Sequence, residues 1–183
     1  MKNKKDIGKE KDYSKVYRSY RCPITFYLYS RLRQKDVAVD LASQVFVKLW
    51  VNWDKIKIET VKAWLYTVAR NVLIDYYRRY KYNLEIDDEY CEDPKGDKIE
   101  TNAQNNIRAL NIYKEIKNLK PKAKEVVLLR ARDNLMFKEI AIVMKLQEGS
   151  VKMLYYRSIK KLRKIMESKV TKGASKSYNK LST

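Results

Sequence analysis

Apolar residues recur at helical spacing through most of the chain, and the clearest run lies near its centre. Val61, Trp64, Leu65, Val68, Ala69, Val72 and Tyr76 follow one another at offsets of three and four, which places them on one face of a helix. Thr60 precedes the run and can act as its N-cap. Off the apolar face stand Lys62, Tyr66, Arg70, Asn71, Arg78 and Arg79, with Asp75 as the only acid. Cations beside exposed aromatic rings suit phosphates and unstacked bases. Upstream, Val37, Leu41, Val45, Phe46, Leu49, Trp50 and Trp53 predict a helix from about Asp36 to Trp53, its arc broad enough to be buried on two sides. Before it, Val16, Tyr17, Tyr20, Ile24, Tyr27, Leu28 and Leu32 make a looser helical pattern over 13–33, interrupted near Pro23. Residues 1–12 are polar and basic and are expected to fray. Trp50 and Trp64 both read as core.

The pattern stops after residue 83. Between Leu84 and Glu100 eight acids face only Lys95 and Lys98, with Pro94 and Gly96 and little apolar periodicity, the signature of a flexible linker. Periodicity resumes near Asn105, where Ile107, Leu110, Ile112 and Tyr113 lead into Ile116 and Leu119. Pro121 suits the first turn of a helix that Val126, Val127, Leu129 and Arg130 carry to a break at Asp133–Asn134. Lys138–Met144 then predicts a short helix, 145–147 a turn, and Glu148 to about Met166 a long helix with Val151, Tyr155, Ile159 and Leu162 as its buried stripe. Short helix, tight turn and long basic helix make a helix-turn-helix. The expected fold is all-α: a domain over 1–82, an acidic linker over 83–104, a helix-turn-helix domain over 105–167 and a disordered basic tail over 168–183.

Composition sharpens this picture. Four Gly and three Pro among 183 residues fit a helical protein, and 45% hydrophobic residues suffice for two small cores. The net charge of +19 calls for a polyanionic partner, nucleic acid or an anionic surface. The absence of histidine removes imidazole acid–base catalysis, and with only Cys22 and Cys91 the common zinc-ligand sets cannot form. No phosphate-cradling glycine loop is present. The sequence therefore reads as a non-enzyme without metal or cofactor. No apolar run approaches the ~20 residues of a membrane span, and residues 1–15 lack a secretory apolar core, so a cytoplasmic location with reduced thiols is expected.

Trp-Leu-x-x-Val-Ala-Arg-Asn-x-x-x-Asp-x-x-Arg-Arg, Trp64 to Arg79, resembles the promoter-melting segment of bacterial RNA polymerase sigma factors, above all the two-domain extracytoplasmic-function (ECF) type of the sigma-70 family. Asp40 to Trp50, DLASQVFVKLW, resembles that family's polymerase-docking helix, and Lys138 through Leu162 resembles its helix-turn-helix. The resemblance implies a sigma factor that binds core RNA polymerase and promoter DNA, reads the −35 and −10 elements and stabilises strand opening. It implies contacts to the upstream (−35) element from Lys152, Met153, Tyr156 and Arg157, and phosphate contacts from Lys145, Lys160 and Lys161. For the downstream (−10) element it implies a flipped-base pocket from Tyr66, Asn71 and Ile56, with Arg70, Arg78 and Arg79 on phosphates. Tyr66 could equally be plain packing between helices. Docking on polymerase would fall to Asp40, with Asp36, Gln44 and Lys48 on the same polar stripe, and the acidic linker would mimic nucleic acid inside the polymerase. Exposed docking faces would permit an anti-sigma protein.

Several positions depart from the family pattern. Lys145 stands at the usual turn glycine, which requires a turn that tolerates a side chain; Leu154 replaces a common Arg; Met136 and Gln147 replace N-cap Ser or Thr. Each lost cap weakens its helix by ~1 kcal/mol. Ser43-Gln44 replaces an amide–acid pair on the docking helix, removing one acidic contact. The other functional reading is a free-standing helix-turn-helix transcription regulator that binds duplex DNA without polymerase.

Overall fold

In the computed structural model, residues 4–83, 112, 115, 116 and 118–178 are described, without the side chains of 4–9, 80–83 and 168–178. The described residues form six α-helices, α1 (Lys4–Leu32), α2 (Lys35–Val51), α3 (Val61–Asn83), α4 (Pro121–Ala131), α5 (Phe137–Met144) and α6 (Glu148–Tyr178), with two short 3-10 turns at Trp53–Lys55 and Ile58–Thr60. They divide into two compact units, α1–α3 and essentially α4–α6.

In the first unit each helix gives one face to a shared core: Val16, Ile24, Tyr27 and Leu28 from α1, Leu41, Val45, Phe46 and Leu49 from α2, Val61, Leu65, Tyr66, Ala69, Val72 and Leu73 from α3. Each such aliphatic side chain, fully removed from water, contributes about 1.5–3 kcal/mol before entropy is counted. α1 passes into α2 through two residues, with Arg33 in the left-handed region (φ 59°) and its amide bonded to the Tyr29 carbonyl at 2.8 Å. α1 departs from the sequence expectation at two points. α1 starts at Lys4, within the segment expected to fray, and it runs unbroken through Pro23. Pro23 and Ser19, whose carbonyl loses its amide donor, both lie on the exposed side, so water can take the orphaned acceptor. Thr60 ends a 3-10 turn, where its hydroxyl donates to the Lys57 carbonyl at 2.9 Å rather than being seen to cap α3.

In the second unit Ile116, Leu119, Val127 and Leu162 form a buried cluster, with Ala123, Leu128, Tyr155 and Ile159 packed against it. Pro121 occupies the first turn of α4, as expected. The α4–α5 connection turns at Asn134 (φ 53°) and buries Leu135, whose amide donates to the Leu129 carbonyl at 2.9 Å. α5, the Lys145–Gln147 turn and α6 form the expected helix-turn-helix. α6 continues to Tyr178, into residues assigned on sequence to a disordered tail. The acidic linker expected over 83–104 lies outside the described residues except for Asn83, as do the expected domain start near Asn105 and Cys91. Cys22 is a free, exposed thiol. Among the described residues no helix is long and apolar enough to cross a membrane, and no three Cys, Asp or Glu side chains gather as metal ligands.

Candidate nucleic-acid interface

α6 is amphipathic with a one-sided core. Val151, Ser158 and Leu162 are buried and Tyr155 and Ile159 half-buried, which turns Lys152, Met153, Tyr156, Arg157, Lys160 and Lys161 to solvent on two adjacent stripes. The one buried hydroxyl on the inner face is satisfied, since Ser158 Oγ donates to the Leu154 carbonyl at 2.7 Å. Tyr156 is 61% exposed, yet its ring is not adrift. Phe137 lies 6.0 Å from it and Tyr155 5.5 Å, and the Arg130 guanidinium covers Phe137 at 5.1 Å. The same guanidinium donates to the Leu135 carbonyl at 3.0 Å. An aromatic held this way loses little rotamer entropy on meeting a ligand. Lys152 Nζ donates to Glu148 Oε1 at 2.7 Å, and that bond, aided by the carboxylate's charge, holds the ammonium above the ordinary lysine range.

The turn into α6 shows how the chain manages without the usual residues. Lys145 is exposed and takes the left-handed conformation (φ 53°), so the turn carries a side chain in the backbone region that favours glycine. Met136 offers no capping side chain, but Glu139 reaches back and its Oε2 accepts the Met136 amide at 2.6 Å, half of a capping box. Glu139 is 8% exposed and sits in the first turn of α5.

On α3, Asn71, Arg78 and Arg79 are exposed and Arg70 half-exposed, with Arg70, Asn71 and Arg78 on one face. Asp75 sits among them, 3.6 Å from Arg78, and its carbonyl accepts from Arg79 Nε at 3.4 Å. Both side chains of the Arg78–Asp75 pair are more than half exposed, so it constrains Arg78 only weakly. Ile56 is half-buried in the bend between the two 3-10 turns, off the helix. Tyr66 takes the packing position between helices, one of the two readings open to it. Its side chain is 2% exposed, edge-on to the Tyr27 ring of α1 at 5.2 Å and 82°. To stack on a base it would have to leave the core. The buried arc of α3 is rotated from the one expected, toward Tyr66 and Leu73, leaving Trp64, Val68 and Tyr76 half-buried. Trp50, also expected in the core, is 42% exposed and edge-on to Tyr13 at 4.9 Å.

α2 exposes Asp36, Asp40, Gln44 and Lys48, each four residues from the last. Beside this stripe lie three residues that sequence reasoning missed: Val39, Val47 and Val51 are 46%, 62% and 74% exposed. The signal was available, since all three are apolar and fall outside the arc that builds the core. A stripe of charge flanked by uncovered valines has the mixed character of a protein-docking face.

Residues 16–82 match the family described as Sigma-70 region 2, and residues 109–162 match Sigma-70, region 4. The chain is 27% identical over 156 residues to the ECF RNA polymerase sigma factor SigM of Bacillus subtilis, covering 81% of this chain and 91% of that protein. It is 26% identical over 165 residues to the ECF RNA polymerase sigma factor BldN of Streptomyces coelicolor, covering 87% of this chain but 62% of the longer BldN. The sigma factor RpoE of Bartonella quintana, solved in complex with the anti-sigma factor NepR, shares the fold with a TM-score of 0.61 at 18% identity, over 86% of this chain and 98% of that one. Two family segments in the order and spacing of the two helical units leave one assignment: the chain belongs to the sigma-70 family, as an extracytoplasmic-function-type sigma factor.

Proposed function

We propose that this chain is an alternative sigma factor that binds core RNA polymerase and directs promoter-specific transcription initiation. It acts as a DNA-binding initiation factor, and the polymerase performs the chemistry, in the cytoplasm. The observation that carries this reading is the pairing of region 2 and region 4 segments with two separate solvent-facing cationic helix faces, on α3 and α6. Region 2 function is assigned to 1–82 and region 4 function to 105–167, joined by the acidic linker.

In this reading α6 enters the major groove of the upstream element. Lys152, Met153, Tyr156 and Arg157 meet base edges there, while Lys145, Lys160 and Lys161 meet phosphates. Asn71 takes a base of the melted downstream strand with Ile56 nearby, and Arg70, Arg78 and Arg79 hold its backbone. Tyr66 supports that surface from within the core. The α2 stripe of Asp36, Asp40, Gln44 and Lys48, widened by Val39, Val47 and Val51, docks on the polymerase. An anti-sigma protein would find the same stripe uncovered.

The test compares binding to promoter duplex with and without core polymerase. The free chain should bind weakly and become sequence-specific only with core; tight, dimeric, specific binding without polymerase would instead establish a free-standing regulator. Asp40→Ala should leave thermal unfolding within about 0.5 kcal/mol of wild type, as expected of an exposed position, and weaken co-purification with core. Unchanged co-purification removes Asp40 from the docking face.

A further inference from the structure

Glu148 opens α6 and is the only acid in the stretch 145–164, which carries seven Lys and Arg. It shares a stripe with Lys152, Tyr156 and Lys160, at successive offsets of four. Its side chain is 45% exposed and its Oε1 lies 2.7 Å from Lys152 Nζ. Among the described residues nothing beyond its own helix crowds its neighbour, since a Cβ on Gly149 would meet no such atom within 4 Å. A base edge can therefore approach the start of the helix.

A carboxylate on a face turned to DNA is repelled by phosphates, and although Lys152 satisfies Glu148 Oε1, the remaining acceptor sites of the carboxylate need a donor to be accommodated there. In the major groove the donors are exocyclic amines, N4 of cytosine and N6 of adenine. Each sits beside an acceptor of its own base pair, guanine O6 or thymine O4. Glu148 and Lys152, held in direct contact, present an acceptor and a donor side by side and so complement that pattern. We infer that Glu148 is a specificity determinant for the upstream element, accepting a hydrogen bond from the exocyclic amine of a base whose neighbouring acceptor is taken by Lys152. The inference rests on the proposed function, because it requires α6 to lie in the major groove.

The experiment uses the chain assembled with core polymerase on promoters in which each upstream-element position carries each of the four base pairs. Wild type should favour an amine-bearing base at one position, cytosine or adenine identifying which amine is read. Glu148→Ala should level that preference by about five- to a hundredfold while the other positions hold. Glu148→Gln, which still accepts a hydrogen bond, should keep part of it. Replacing the favoured base with an analogue that lacks the amine should weaken wild type and leave Glu148→Ala unaffected. If Glu148→Ala keeps every preference, or tightens binding evenly on all sequences, Glu148 only tempers the positive charge of α6 and the inference is overturned. A wild-type chain that selects no upstream sequence with core polymerase overturns the proposed function itself, and this inference with it.

Discussion

Tyr66 and Tyr156 look alike on paper: each sits in a helix rich in Lys and Arg, and each is a natural platform for a base. The fold separates them, with Tyr66 at 2% exposure and Tyr156 at 61%. The difference lies in where each ring falls relative to its helix's buried arc. α3 packs against both α1 and α2, so its buried arc extends far enough round to take in Tyr66 against Tyr27. α6 buries a narrower stripe around Val151, Ser158 and Leu162, and the next residues round the helix remain in water. A cationic helix with aromatic residues is thus an incomplete description of a binding face until the covered width is known.

That contrast can be broken by mutation. Tyr66→Ala should cost about 3–5 kcal/mol of stability, the range for truncating a large buried aromatic, whereas Tyr156→Ala should cost under about 1 kcal/mol. Tyr156→Ala should instead lower holoenzyme affinity for promoter duplex. Urea unfolding and duplex binding measured on both variants would decide it, and equal stability losses would erase the distinction. Glu139→Ala should destabilise the C-terminal unit by about 1–2 kcal/mol, since the Met136 amide loses its acceptor. A thermal unfolding midpoint that does not move would show that the cap is not needed. Lys145→Gly should stabilise by about 0.5–1 kcal/mol, left-handed strain relieved minus the entropy glycine adds to the unfolded chain. The same change should make DNA binding less salt-dependent by about one phosphate contact. A salt slope identical to wild type would take Lys145 off the phosphate backbone.

Much of this architecture could be read before the structure. The periodic runs of α2 and α3, Pro121 at the start of α4 and the helix–turn–helix spacing all rest on local rules that tertiary packing did not override. The exposed stripe Asp36–Asp40–Gln44–Lys48 followed from the same spacing, whereas the choice of Lys152 and Tyr156 on α6 came from the family resemblance. What could not be read depends on contacts or on unusual residues in familiar places. Glycine is scarce, so left-handed turns fall to Arg33, Asn134 and Lys145, of which only Asn134 is a residue that favours a positive φ. Pro23 marks a helix break by rule, but its orphaned carbonyl faces water and the helix continues. Glu139 caps from three residues inside α5, where a search for Ser or Thr at the cap position does not look. Trp50 was expected in the core on side-chain type and is 42% exposed, because burial depends on the neighbouring helices; Tyr66 takes the packing position that was one of its two open readings.

Run-off transcription shows whether the two cationic helical units recognise a promoter only when seated on polymerase. Purified chain and core polymerase are combined with a fragmented genomic library, and transcript start sites are sequenced. The expected outcome is a set of discrete start sites that share an upstream and a downstream element, absent with core polymerase alone. Start sites identical with and without the chain, or no transcripts beyond background, would contradict it.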